Sequence, residues 1–218
     1  MRKKSAISLI SYDAEYLPNS IKTYDDYVDE IVLGLDKNRV SWSKNKFTFD
    51  ESKLWTELND IDSDGKITII EEDFVKSDKA IENDNFERNY LKEQCSYDWI
   101  FSFDADEELL NAHDFFVNYL PLVEKYYNTC DIMMTWATPF KTIEDKTLVI
   151  CENDGQAFLK EPQGVVTSKD STYVFARWTD KCQSDSKKLM SPLIALHWSL
   201  CRSQKDLHQK INNIGHSD

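Results

Sequence analysis

The first half of the chain alternates short apolar runs with segments whose apolar residues recur at helical spacing. The runs "AISLISY", "DEIVLGLD" and "KITIIEEDF" indicate buried strands, and a fourth, "YDWIFSFDADEEL", passes from apolar into acidic residues. Between these runs, "LPNSIKTYDDYV", "DESKLWTELND" and "NDNFERNYLKEQC" carry apolar residues on one helical face. Four strands separated by three helices predict a parallel sheet that helices cover on both faces.

The second half is less regular. A helix is predicted from Ala112 to Tyr127, and the segments "CDIMMTWATPF", "KTLVICEND", "QAFLK" and "STYVFARW" indicate strands of a mixed or antiparallel addition. The tail "DLHQKINNIG" is typical of a helix that Gly215 stops. We therefore predict an α/β fold with a mostly parallel, Rossmann-like sheet flanked by helices and a smaller mixed C-terminal part. One domain is expected over residues 1–218, with halves at 1–110 and 111–218.

Charge and composition narrow the classes of function. The net charge of −13 comes from 26 Lys and Arg against 39 Asp and Glu, and without a long basic run it opposes a nucleic-acid partner. No stretch approaches the roughly 20 apolar residues of a membrane span, and the start "MRKKSAISLISY" is too short for a secretory signal. Five widely spaced cysteines, with no CxxC pair, read as free thiols. We expect a soluble, cytoplasmic protein without a transmembrane segment.

The segment "FSFDADEEL" carries the strongest indication of chemistry. Its apolar residues predict a strand that runs into Asp104, Ala105 and Asp106, and carboxylates separated by one residue point the same way from an extended backbone. Asp104 and Asp106 can therefore share a hard divalent cation such as Mn²⁺ or Mg²⁺, which in turn holds phosphate oxygens. The alternative is an acidic helix N-terminus, where the helix dipole favours negative charge.

Further candidates lie at the ends of the other predicted strands, where ligands bind in parallel sheets. Ser11, Tyr12 and Asp13 follow the first strand, so Tyr12 can pack against a base that backbone groups also bind. Asp36 ends the second strand and can accept hydrogen bonds from a base or ribose, or it can simply terminate the strand in the turn "DKN". Arg88, on the helix before the acidic strand, can pair with a nucleotide, although a surface ion pair is the commoner role of a helical arginine.

The C-terminal stretch "LHWSLCRSQKDLHQKINNIGHSD" concentrates histidines and basic residues. A neutral imidazole such as that of His197 can complete a metal site, while Arg202 or Lys210 can hold a diphosphate as its bond to a sugar breaks. His197 can instead be a buried histidine that follows the apolar run "PLIAL". His208 is expected to be exposed.

Taken together, "FSFDADEEL" and "LHWSLCR...KINNIGHS" resemble the small family-two-like glycosyltransferases of the GT-A fold. The resemblance extends from Ile7 to Ser217, with the first strand, the Asp36 acid, the DxD motif and the segment around His197 in the family's order. It implies a nucleotide-binding half at 1–110 and an acceptor-binding, metal-completing half at 111–218. It also implies transfer of a hexosyl or deoxyhexosyl group from a UDP- or GDP-linked sugar to a glycan or other hydroxyl acceptor.

The resemblance also implies roles for individual residues. Asp104 would lie near the donor ribose and metal-bound water, and Asp106 would bind Mn²⁺ or Mg²⁺ directly. His197 would be a further ligand of the metal or the diphosphate. The residues that would contact the donor diphosphate are Lys210, His216 and Ser217. The family usually inverts the anomeric centre.

Inversion needs a general base that takes the proton of the acceptor hydroxyl. The family usually supplies an Asp or Glu well after the DxD motif, and no motif identifies it in this chain. Asp154 is favoured because Asn153 and Gly155 indicate an exposed loop. The other acids that qualify are Glu152, Glu161 and Asp180, with Glu107 and Glu108 beside the metal.

Two other functions remain open. A sugar nucleotidyltransferase could share the sheet and its acids, but that class normally opens with a Gly-rich phosphate loop, and "ISLISYDAEYLPNS" has no glycine. A calcium-binding module could use "DIDSDGKITIIE" from Asp60 to Glu71, which matches an EF-hand loop. Its flanks do not match, and the β-branched run favours a strand instead. We therefore expect a helix that ends at Asn59, an acidic turn through Gly65 and an extended, buried backbone from Lys66 to Ile70.

Overall fold

The computed structural model describes residues 2–183 and 188–213. The strands are β1 (Lys4–Ile10), β2 (Glu30–Asp36), β3 (Ile67–Glu72), β4 (Trp99–Ser102), β5 (Glu107–Leu109), β6 (Asp131–Ala137), β7 (Pro139–Ile143), β8 (Lys146–Val149), β9 (Leu159–Ser168), β10 (Tyr173–Phe175), β11 (Trp178–Thr179) and β12 (Lys188–His197). The helices are α1 (Leu17–Lys22), α2 (Glu51–Ile61), α3 (Ala80–Gln94), α4 (Leu120–Tyr126), α5 (Asp180–Gln183) and α6 (Gln204–Asn213).

Eight strands form one sheet in the order β3-β2-β1-β4-β9-β6-β12-β5. The first four are parallel, as predicted, and β9 lies antiparallel between β4 and β6. Strand β12 is parallel to β6, and β5 completes the far edge in antiparallel pairing with β12. Hairpins β7–β8 and β10–β11 are separate two-stranded sheets. The α/β fold with a mostly parallel sheet and a mixed C-terminal part is therefore confirmed.

The short connection between β4 and β5 requires the sheet to curl. In a flat sheet β5 would lie four strand spacings from β4, or about 19 Å. The chain from Ser102 to Glu107 spans at most about 17 Å when it is fully extended, and here it also forms a turn. The sheet therefore curls until β5 returns towards β4, and the acidic residues between them lie where the two ends approach each other.

Alternate residues of the central strands pack on opposite faces of the sheet. Ala6 and Ile10 of β1 belong to the core beneath α1, α2 and α4, whereas Ile7 packs with Val32 and Leu91 beneath α3. Helices thus cover both faces, as the apolar runs predict. Within the described ranges, no helix is long and apolar enough to cross a membrane.

Several predicted boundaries need correction. The backbone from Ile67 is extended as predicted, but it forms the edge strand β3, where Ile69 is 38% exposed, so the expectation of a buried strand was wrong. A strand at the edge of a sheet lacks a neighbour on one side, and the pattern of apolar residues along the sequence does not reveal this position. Helix α2 continues to Ile61 rather than ending at Asn59. Helix α6 spans Gln204–Asn213, and Gly215 lies outside the described residues.

The helix predicted from Ala112 to Tyr127 forms over residues 112–126, but a π-helical turn divides it. A π-helical turn spans Asp114–Tyr119, and α4 follows directly as Leu120–Tyr126. The long predicted strand around "FSFDADEEL" is also divided, because it stops at the end of β4 and resumes as β5.

The calcium-like loop also differs from an EF-hand in structure. Asp62 accepts hydrogen bonds from the backbone N–H groups of Lys66 and Ile67, which closes the acidic turn upon itself. Glu71 lies on β3 and pairs with Arg39 at 3.3 Å. An EF-hand instead needs the glutamate at the twelfth position to return to the ion as a bidentate ligand.

Gly164 of β9 provides a test of the packing beside the curled sheet. A Cβ atom there would clash with the backbone carbonyl of Arg177, and backbone cannot rotate away. We expect Gly164→Ala to lower the free energy of unfolding by about 1–3 kcal/mol, measured by urea denaturation. The control is Gly65→Asn, in a turn with φ of +67° and nothing within 4 Å of an added Cβ. An unchanged stability of Gly164→Ala would show that this close approach is not required.

Candidate functional site

The residues from Asp104 to Glu107 form a closed turn between β4 and β5. The Glu107 N–H donates to the Asp104 carbonyl at 3.1 Å, and the Asp104 N–H donates to Oε2 of Glu107 at 3.1 Å. The two aspartates of the DxD motif thus lie in a turn rather than on the extended backbone that the sequence predicts. Both still line one cleft, together with the intervening Ala105.

Arg177, between β10 and β11, holds this turn from inside the protein. Its guanidinium donates two hydrogen bonds to the Glu107 carboxylate, at 2.8 and 2.7 Å, and one to the Ser102 carbonyl at 3.1 Å. Both side chains of the pair are buried. Arg177 also lies 5.1 Å from the centroid of the Trp136 ring, which in turn packs against His197. Arg177 therefore contacts both the acidic turn and the Trp136 ring on which His197 packs.

Asp104 is held by a second buried arginine. Arg88 donates to Asp104 at 2.8 Å, to Asp84 at 2.6 Å and to the Ser102 hydroxyl at 2.8 Å. Burial opposes ionisation of Asp104, but Arg177 and Arg88 outweigh it and hold the pKa of this carboxyl well below its ordinary value. Arg88 does not line the cleft. It is therefore neither a surface ion pair nor directly available to a nucleotide in this structure.

Asp106 is surrounded by three basic side chains. Arg202 and Lys210 bind its Oδ2, Lys210 at 2.5 Å, and His197 lies 3.5 Å from Oδ1. Burial opposes ionisation here too, but His197, Lys210 and Arg202 together hold the pKa of Asp106 well below its ordinary value. The structure thus brings together the two aspartates, His197 and Lys210, which the sequence marked in separate motifs.

The cleft opens at the carboxyl ends of β1, β2 and β4, where the sequence predicts ligand binding. Its lining contains all the candidates at the ends of the first two strands, namely Ser11, Tyr12, Asp13 and Asp36. His216 and Ser217 lie outside the described residues. His208 is exposed on α6, as expected.

Asp36 lies in the cleft, and both of its carboxylate oxygens accept hydrogen bonds from backbone. Its Oδ1 accepts hydrogen bonds from the N–H groups of Asn38 and Val40, and its Oδ2 accepts one from Phe74. These bonds shape the turn after β2. The strand-terminating role therefore describes the contacts of Asp36 in this structure.

Asp13 and Tyr12 face the cluster around Asp106. Burial, with the nearby charge of Asp106, raises the pKa of Asp13 to about 6, against the opposing effect of Lys210 and Arg202. The Asp13 carboxylate lies 3.5 Å from Arg202. Burial and the charge of Asp13 also raise the pKa of the Tyr12 hydroxyl.

The acids considered as general base lie in diverse places. Asp154 occupies an exposed turn and accepts a hydrogen bond from the Gln156 N–H, outside the lining of the cleft. Glu107 is committed to Arg177, whereas Glu108 is half-buried and burial raises its pKa. Glu152 is exposed. Asp180 accepts hydrogen bonds from backbone N–H groups at the start of α5, and the side chain of Glu161 lies outside the described part.

Three residues of the site were missed in the sequence. Arg177 carried a signal, since an arginine inside the apolar segment "STYVFARW" needs a buried partner. Trp42 and Glu87 also line the cleft. They lie in a loop and on a helix face that no motif distinguishes.

The donor types of the cleft suit a hard divalent cation. Among the described residues, no group of three His, Cys, Asp or Glu side chains is placed to hold a metal ion. Ions such as Mg²⁺ commonly use one or two carboxylates and take their other ligands from substrate phosphates and water. Asp106, with Asp104 and His197 beside it, fits that arrangement once Arg202 and Lys210 release the Asp106 carboxylate.

Comparison with known proteins places the fold. The chain is similar to 4-diphosphocytidyl-2C-methyl-D-erythritol synthase from Anaerococcus prevotii, with a TM-score of 0.52, 12% identity and coverage of 97% of this chain and 95% of that one. HddC from Yersinia pseudotuberculosis matches at a TM-score of 0.47 with 8% identity, over 96% and 97% of the two chains. S. aureus TarS 1–349 in complex with UDP matches at 0.44 with 10% identity, over 67% of this chain and 38% of that one.

The likeness to the synthase shows the fold alone, because the identity is so low. No family model matches the chain. No curated protein matches it either. The fold is thus GT-A-like, and the activity has to be argued from the site.

The pair Arg177–Glu107 gives a test of how the turn is held. We expect Arg177→Met to lower the free energy of unfolding by about 3–5 kcal/mol, because it leaves a buried carboxylate without its partner. Adding Glu107→Leu should recover part of the loss, measured by urea denaturation. The exposed pair Lys53–Glu57 is the control, where Lys53→Met should cost less than about 1 kcal/mol. Strictly additive losses at Arg177 and Glu107 would contradict the coupling.

Asp13 predicts a pH dependence of stability. Its pKa is about 6 in the folded protein and about 4 in an unfolded chain, so folding takes up a proton between these values. The buried Asp13 charge should therefore lower the stability of the wild type above about pH 6, and this loss should disappear as the pH falls towards about 4. We expect Asp13→Asn to raise Tm at about pH 8 in EDTA, with a gain that shrinks over that range. A gain independent of pH would contradict the assignment.

Proposed function

We propose that the protein is a metal-dependent glycosyltransferase, which moves a sugar from a nucleotide-diphosphate sugar to an acceptor hydroxyl. The observation that supports this most is the cluster around Asp106. A carboxylate at the carboxyl end of a parallel sheet is held by Lys210, Arg202 and His197 and lies beside Asp104 in one cleft. Transfer of a sugar from a diphosphate leaving group requires groups of these kinds.

The charges of the cluster suit the entry of a diphosphate with its cation. In the described structure, Arg202 and Lys210 neutralise Asp106. A divalent cation at Asp106 would free both basic side chains, and the diphosphate would offer them new anionic partners. The exchange conserves the local balance of charge, so no buried charge is left uncompensated.

The residues that would hold the cation are Asp106, with Asp104 and His197 as further ligands. When bound, the cation stabilises negative charge on the leaving diphosphate. Arg202 and Lys210 would bind the diphosphate oxygens as the sugar bond breaks. Arg177 and Arg88 would keep the turn fixed from below, because their hydrogen bonds orient Glu107 and Asp104.

The acceptor would attack the anomeric carbon from the side opposite the diphosphate, with inversion. A general base is needed there. We propose Asp154 for this role, with the acceptor bound between the cleft and the connection from β8 to β9, where Asp154 lies. Transfer by Asp154→Asn at several pH values would test it, because loss of the base should abolish the acidic limb of the rate profile.

Sugar nucleotidyl transfer is the alternative, since the synthase above has the same fold over nearly its whole length. The segment from Ser11 to Pro18, which follows β1, contains no glycine that would let backbone N–H groups approach a triphosphate closely. The two activities differ in products. In nucleotidyl transfer, a sugar phosphate attacks a nucleoside triphosphate, and pyrophosphate is released. In glycosyl transfer, a nucleoside diphosphate is released.

Asp106→Asn tests the proposed activity. We expect donor hydrolysis or transfer with Mn²⁺ to fall by about 100-fold or more, because the amide is a poor ligand for the cation. The stabilisation by donor and Mn²⁺ in a thermal-shift assay should also disappear. The matched control is Asp64→Asn in the exposed turn before β3, which should leave both unchanged. Full activity of Asp106→Asn, or no loss in EDTA, would overturn the metal role.

A further inference from the structure

Two acidic side chains, Asp36 and Glu87, line the cleft together with the apolar Leu9, Val40 and Phe47. Both carboxylate oxygens of Asp36 already accept hydrogen bonds from backbone, from three N–H groups in all. Glu87 is different. It projects from α3 and lies in the same lining without any backbone partner among the hydrogen bonds of the described residues. The two acids therefore differ in what they can offer to a ligand.

Glu87 is only 5% exposed, and its carboxyl group has one hydrogen bond within the described ranges. The indole Nε1–H of Trp42 donates to its Oε2 at 2.7 Å. Its Oε1 lies over Gly34 of β2, where an added Cβ would be 2.6 Å away. The absence of a side chain at Gly34 thus makes room for this oxygen against β2.

The surroundings of Glu87 favour the neutral acid. Burial raises its pKa to about 8, helped by the negative charges of Asp84 and Asp36 and opposed by Trp42 and Arg88. These are the charged groups that face it. Because Oε2 accepts from the indole, it acts as the carbonyl oxygen, and the proton belongs on Oε1. Below about pH 8, Glu87 therefore presents an O–H donor within the cleft.

We propose that Glu87 selects the nucleobase of the donor, by donating a hydrogen bond to a carbonyl oxygen on the base edge. This inference rests on the proposed function. Uracil and guanine carry a carbonyl where cytosine and adenine carry an amino group. An amino group would set donor against donor at Oε1, and Glu87 would lose its partner. Glu87, rather than Asp36 with its three backbone partners, is then the acid that reads the base.

The walls of this part of the cleft support a flat ring. Leu9, Val40 and Phe47 are apolar, and the Trp42 indole is fixed by its hydrogen bond to Glu87. One buried hydrogen bond to the base edge has a large effect on discrimination in such a site. Two hydrogen-bond donors that face each other in such a site weaken binding on the order of tenfold or more.

The test is calorimetric binding of UDP, GDP, CDP and ADP, each with Mn²⁺, to wild type and variants. Wild type should bind UDP or GDP at least about tenfold more tightly than its amino counterpart, CDP or ADP, at about pH 6.5. Glu87→Gln should retain this preference, because its amide N–H₂ replaces the O–H donor while its carbonyl accepts from Trp42. Glu87→Leu should lose it. Glu93→Gln, on the exposed side of the same helix, is the matched control.

Raising the pH separates the role of the proton from that of shape. At about pH 9 the wild-type preference should fall, because an ionised Glu87 has no proton to donate, whereas Glu87→Gln should keep it. A preference that survives in Glu87→Leu, or that is insensitive to pH in the wild type, would overturn the inference while nucleotide binding stands. Failure of every nucleotide to bind wild type would instead overturn the proposed function, and the inference with it. Tm of each variant confirms that it folds.

Discussion

Neutralising the acidic turn between β4 and β5 is the constraint on which the rest of the site depends. Its three carboxylates are largely removed from water, and such charges are tolerated only with partners that also satisfy their hydrogen bonds. The partners are Arg88, Arg177, Arg202 and Lys210. They come from α3, the β10–β11 hairpin, the segment after β12 and α6. Elements from both halves of the chain are thereby tied to one turn.

Curling of the sheet makes this arrangement possible. The short link from β4 to β5 brings the far edge back towards the centre, and Arg177 bridges the two strands by binding both Ser102 and Glu107. Gly164 lies against the backbone of Arg177. The same closure sets Asp106 beside His197 at the end of β12. Geometry of the whole sheet, rather than of any one motif, thus assembles the cluster.

The sequence predicts the parts of this fold that depend on local pattern. Four apolar runs and the helices between them predict the parallel strands, and the ends of those strands bring Tyr12 and Asp13 near the DxD motif. Partners distant in the chain are not predictable in this way, because the pairing of Arg177 with Glu107 bridges 70 residues. The position of β3 at an edge has the same cause. Strand order is a property of the assembled sheet, and the same β-branched sequence is compatible with a central strand and with an edge strand.

The acidic residues that imitate a calcium loop have another consequence at that edge. Strand β3 offers unpaired backbone groups along its outer side, which is a template for another strand. Glu71 and Glu72 lie on this strand, and Asp62 and Asp64 stand just before it. Their negative charges would repel the same edge of a second molecule. These acids therefore guard the edge around Ile69 against pairing with another copy of the chain.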